Sequence, residues 1–102
     1  MAQSKDTIIS EIMDHMNKYC PNGTPFKSLY IGIASDAKDR LFNGHAVNKE
    51  TDVWIYRTAS SDSVAREIEK YFIDKGFDGG PGGGDKNTNQ VYCFLQNSHT
   101  KR

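Results

Sequence analysis

Three short runs, SLYIGIA (28–34), DVWIYRTA (52–59) and QVYCFLQ (90–96), carry the β-forming residues of this chain, and segments of helical or loop length separate them. In the first, Leu29, Ile31 and Ile33 alternate with Tyr30, Gly32 and Ala34, the period of a strand with one face buried. So small a sheet buries its apolar face only under helices, and the intervening sequence supplies them. Ile8, Ile9, Ile12, Met13 and Met16 recur at three- and four-residue steps, predicting a helix over 5–19 that CPNGTP (20–25) stops. Asp36 is placed to cap a short helix through Leu41 and Phe42, with Gly44 near its end. A third helix is predicted from Asp62 to Lys75, with N-caps offered by SSDS (60–63), an apolar stripe of Val64, Ala65, Ile68, Tyr71 and Phe72, and Gly76 as its stop. The expectation is one α+β domain over 1–102: a three-stranded, mostly antiparallel sheet packed with about three helices. Its core lies in 26–97, and a polar tail occupies 98–102.

Charge narrows the function. Thirteen basic residues balance thirteen acidic ones, whereas duplex-binding proteins usually carry a basic excess, so a nucleic-acid role has to rest on a local patch. Cys20 and Cys93 are far apart, lack metal-ligand spacing and read as free thiols. Nothing at the start resembles a signal peptide, and no apolar run approaches the roughly 20 residues of a membrane span, so a reduced, cytoplasmic protein without a membrane role is expected.

The strand LYIG is followed eight residues after Gly32 by Arg40, then by His45, and later by Glu69 within the helix AREIEKYFI. In this the stretch from Leu29 to Ile73 resembles the GIY-YIG nuclease family. Tyr30, Ile31 and Gly32 match the second half of the family signature, Arg40 sits where its arginine sits, and His45 falls within a residue of its frequent histidine. Glu69, with Ile73 four residues on, matches its metal-binding glutamate more closely than Glu67 does. The family's first strand, with its Gly-Ile-Tyr element, has no counterpart in NKYCPNGTPFK (17–27). The last strand, QVYCF, carries that pattern with Gln90 replacing the glycine, which suggests a circularly permuted arrangement in which Tyr92 stands beside Tyr30.

The resemblance implies metal-dependent hydrolysis of a DNA or RNA phosphodiester. Glu69 would hold one Mg²⁺ or Mn²⁺, and Arg40 would clamp the phosphate through its fork of donors. Tyr30, Tyr92 or His45 would handle the proton, and Gly32 would let backbone or substrate come close. The rival expectation is an inactive binding or regulatory module on the same scaffold, with a nucleic-acid or protein partner. A basic cleft containing Arg40, Lys38 and Arg66 would favour the nuclease.

Each residue also has a plain structural reading. Arg40 can pair with Asp36 one turn earlier, His45 can sit at a helix end facing solvent, and Glu69 can be a solvated helix charge. Val91, Tyr92 and Phe94 can be sheet packing alone. The glycine-rich stretch GGPGGGD (79–85) lacks the Lys-Ser or Lys-Thr ending of a phosphate loop and reads as a connector, with Asn87 or Asn89 within reach of the site. Trp54 and Tyr56 share a strand face and either stack on bases or pack beneath the first helix.

Overall fold

The computed structural model describes residues 4–79 and 88–101. Helix α1 spans Lys5–Tyr19, capped by Ser4, whose hydroxyl accepts the Thr7 N–H at 3.3 Å. Its stripe of Ile8, Ile12 and Met16 is buried, as the spacing predicts. Strand β1 (Leu29–Ala34) leads into α2 (Ala37–Asp39), which continues as a π-turn over Arg40–Gly44. Strand β2 (Trp54–Thr58), helix α3 (Asp62–Lys75) and strands β3 (Asp78–Gly79) and β4 (Gln90–Leu95) follow. Ser61 caps α3 by accepting the Val64 N–H at 3.2 Å, and Gly76 ends it in the left-handed region, at φ 114°.

The result is an α+β fold in which helices cover a four-stranded mixed sheet ordered β2-β4-β1-β3. The expected three strands are thus one too few. β3 runs parallel to β1, pairing Tyr30 with Asp78 and Ile31 with Gly79, inside a stretch that reads as loop. Two residues cannot display an alternation, so no sequence pattern marks it. Gly79 is required there, because a Cβ would stand 2.8 Å from the Ile31 carbonyl oxygen.

β4, late in the sequence, lies between β1 and β2 and is antiparallel to both. Its four middle residues are buried on both faces. On one face Ile31, Ile33, Ile55, Val91 and Cys93 meet α1 and α3 through Ile8, Ile12, Ala65, Ile68 and Phe72. On the other face Tyr92 and Phe94 meet Ala37, Leu41 and Val47, with Tyr30, Phe42, Trp54 and Tyr56 packed around them. Trp54 and Tyr56 therefore do not lie beneath α1, as one reading expects. The register pairs them with Phe94 and Tyr92, which puts them on the opposite face.

β2 is an edge strand. The Leu95 N–H donates to the Val53 carbonyl at 3.0 Å, so the carbonyls of Trp54 and Tyr56 turn outward. The His15 ring from α1 lies close to the Trp54 main chain, and the Arg57 guanidinium donates to the Tyr56 carbonyl at 2.7 Å. Arg57 is itself held by Glu11 at 2.7 Å. Cys20 and Cys93 are free thiols. Among the described residues no helix is long and apolar enough to cross a membrane.

Candidate functional site

Pairing of β1 with β4 sets Gly32 opposite Tyr92 and Tyr30 opposite Phe94. A Cβ on Gly32 would lie 2.5 Å from both Cζ and the hydroxyl oxygen of Tyr92. The phenol occupies the space that any other residue at position 32 would fill. Gly32 thus makes room for Tyr92.

The Tyr92 hydroxyl meets His45 Nε2 at 2.8 Å. His45 is delivered by the π-turn, in which its N–H donates to the Arg40 carbonyl at 2.8 Å, one residue further than in an α-helix. The wider turn sets Arg40 and His45 at its two ends. His45 Nδ1 lies 2.7 Å from the Lys101 carbonyl, which can only accept, so Nδ1 carries the ring proton. Nε2 of the neutral ring then accepts from the Tyr92 O–H. Burial lowers the His45 pKa, with the nearby Arg40 charge adding to that and the Lys101 bond opposing it. Rings of Tyr30 (4.8 Å between centroids) and Phe94 (5.0 Å) enclose the imidazole.

Burial, reinforced by Tyr30, pushes the Tyr92 hydroxyl up to about 12, while Arg40 counters through charge and a hydrogen bond. Arg40 is exposed, and among the described residues it has no carboxylate partner. The pairing with Asp36 does not form. Asp36 instead caps α2, its carboxylate accepting the Asp39 N–H at 3.2 Å.

Glu69 departs from the solvated-charge reading, being only 5% exposed on the inner side of α3. Burial raises its pKa and the Arg66 charge opposes that. Arg66 itself lies 3.8 Å from Asp62. No hydrogen bond or ion pair to the Glu69 carboxylate is found among the described residues, and none of its oxygens is both fully buried and unpartnered. Its charge is felt at the Tyr92 hydroxyl. Among the described residues no group of three or more His, Cys, Asp or Glu side chains gathers to hold a metal. A single carboxylate fits an ion such as Mg²⁺, which takes one or two carboxylates and keeps several waters.

Tyr30, Arg40, His45 and Tyr92 therefore meet in one cluster, with Glu69 in electrostatic contact. Two participants escaped sequence reasoning: Phe94, which looked like packing, and the main chain of Lys101 in a polar tail, where side-chain type gives no signal. That tail folds back onto the site, the Lys101 N–H donating to the His45 carbonyl at 2.7 Å. The glycine-rich stretch beyond Gly79, and Asn87, lie outside the described residues. Asn89 uses its carbonyl to accept the Ala59 N–H at 2.8 Å. A separate groove of about 790 Å³ runs along β2, lined by His15, Tyr19, Asp52, Trp54 and Arg57 among others. Its charged groups are already engaged: Arg57 with Glu11, and Asp52 with His99.

No family model, curated protein or solved structure matches this chain.

Proposed function

We propose that this chain is a GIY-YIG-like domain that hydrolyses nucleic-acid phosphodiester bonds with Mg²⁺ or Mn²⁺. The observation that carries the reading is the meeting of Tyr30, Arg40, His45 and Tyr92 from separate elements, within electrostatic reach of a buried carboxylate that has no hydrogen-bonding partner among the described residues. Titratable groups whose pKa values are shifted by burial, such as Glu69 and Tyr92, concentrate at working sites. The position of β4 beside β1 is what a permuted signature requires, with Tyr92 in the role of the missing first tyrosine.

Arg40, exposed, beside the Tyr92 hydroxyl and without a carboxylate partner among the described residues, would grip the phosphoryl oxygens. Glu69 would hold the cation, whose chemistry is to polarise the phosphoryl group and stabilise charge on the leaving oxygen. Tyr30 is half-buried and is the phenol with surface to offer a water molecule, whereas Tyr92 is 2% exposed and its hydroxyl donates to His45.

That last feature also favours the second reading. With His45 only 7% exposed and both ring nitrogens bonded, the proton-handling pair is sealed, as suits a binding module that has no hydrolytic step. Incubation of the protein with labelled single- and double-stranded DNA and RNA, with Mg²⁺ or Mn²⁺ added, separates the two. Cleavage that requires metal and disappears in Glu69→Gln supports the nuclease. Binding without cleavage supports the module, and neither outcome on any nucleic acid turns the search to protein partners.

A further inference from the structure

We propose that the segment 97–101, which follows β4, is a positioning strap that fixes the ring proton of His45 on Nδ1 through the main chain of Lys101, and so makes Tyr92 the donor in the Tyr92–His45 bond. The inference rests on the Tyr92–His45 cluster being the working site. One main-chain bond and one ring bond close a ring between the residues: the Lys101 N–H donates to the His45 carbonyl at 2.7 Å, and the side-chain Nδ1–H of His45 donates to the Lys101 carbonyl at 2.7 Å.

The strap is itself held in place. Asn97 and Thr100 form a turn, the Asn97 N–H donating to Thr100 Oγ1 at 3.0 Å and the Thr100 N–H returning to the Asn97 carbonyl at 3.3 Å. Asp52, from the loop before β2, clasps it through His99 Nε2 at 2.6 Å and Asn97 Nδ2 at 2.9 Å. The same carboxylate accepts the Asn48 N–H at 2.7 Å, so the clasp is anchored at both ends.

The chemical consequence follows from the two ring nitrogens being distinct. Neutral imidazole without an acceptor at Nδ1 ordinarily carries its proton on Nε2. A proton there would point at the Tyr92 oxygen, and the hydroxyl would have to accept and turn its own proton elsewhere. The strap therefore decides which way the Tyr92 proton faces, and Lys101 acts as a positioning residue through atoms that its side chain does not contribute.

The test is a long-range proton–nitrogen NMR spectrum of the ¹⁵N-labelled full chain, which reports the protonated nitrogen of each histidine directly. The wild type is expected to show His45 as the Nδ1–H form. Lys101→Ala, which keeps the main-chain bonds, is expected to leave that pattern unchanged. Lys101→Pro, which removes the N–H that holds the strap, is expected to convert His45 largely to the Nε2–H form while the amide spectrum of the sheet persists. A wild-type His45 protonated on Nε2 overturns the proposal whatever the variants do, and so does a Lys101→Pro protein that folds and keeps Nδ1–H. Because none of these readings uses cleavage, the strap can stand while the nuclease assay fails, and the reverse.

Discussion

The two faces of the sheet are built from the same strands and differ in what alternate residues do. Beneath α1 and α3, Ile31, Ile33, Ile55, Val91 and Cys93 face Ile8, Ile12, Ile68 and Phe72, and shape and volume are all that matter there. On the other face the alternating partners are Tyr30, Tyr92, Trp54 and Tyr56, joined by His45 and overlooked by Arg40. Along β1 one step of a single residue, from Ile31 to Gly32, crosses from packing to hydrogen-bond geometry. The comparison teaches that one face is closed by apolar packing alone, while the other combines an apolar core of Leu41, Phe94 and Ala37 with buried polar groups that have to be hydrogen-bonded.

Substitutions can break that comparison, and the largest effect belongs to the apolar face. Ile31→Ala is expected to cost about 2–5 kcal/mol, the range for truncating a fully buried branched side chain, with the loss read by urea denaturation. Next to it, Gly32→Ala is expected to cost about 1–3 kcal/mol, because the new methyl collides with the Tyr92 ring rather than leaving a void. Displacement of the phenol should also release His45, seen as a shift of its ring signals. If Gly32→Ala is neutral and the ring signals stay in place, the account of Gly32 as a seat for Tyr92 is wrong.

Glu69 sharpens the contrast by reversing the sign. Its folded pKa is raised, so the folded state prefers the protonated acid. The stability it contributes is present in full below the ordinary value of 4.5 and is lost as pH rises through the raised one. Glu69→Gln is therefore expected to be more stable than the wild type at pH 7, with the gap closing in acid. Denaturation at the two pH values checks this, and an unchanged or reduced stability at pH 7 would show the carboxylate to be satisfied. The smallest effect is expected from Arg40→Gln, within about 0.5 kcal/mol for an exposed side chain with no carboxylate partner, while any affinity for a phosphate backbone falls.

How much of this was legible in the sequence follows the same division. The apolar face was readable because strand and helix periodicity act over several residues: the stripe Ile8, Ile12, Met16 and the stops at Gly44 and Gly76 lie where the pattern put them. β3 was not, since two residues carry no period, and its mark is only the close approach at Gly79. At the candidate site Tyr30, Arg40, His45 and Tyr92, and Glu69 on α3, could be named from spacing, but their states could not. That His45 is buried with both nitrogens engaged depends on a π-turn and on a carbonyl 56 residues away, neither of which residue identity encodes. The side of the sheet taken by Trp54 and Tyr56 depended on register with β4, a strand distant in sequence.

One further consequence comes from the way His15 and Arg57 cover the outward carbonyls of β2. An open strand edge is a template on which another extended chain can grow, and stacked sheets of that kind underlie aggregation. Here the Arg57 guanidinium occupies the Tyr56 carbonyl that an incoming strand would need, Glu11 holds it in place, and the His15 ring lies close beside the Trp54 main chain. The protection is modular: it resides in three residues that take no part in the tyrosine and histidine cluster. The protected edge and the polar cluster can therefore be altered independently, one through residues 11, 15 and 57 and the other through residues 30, 40, 45, 69 and 92.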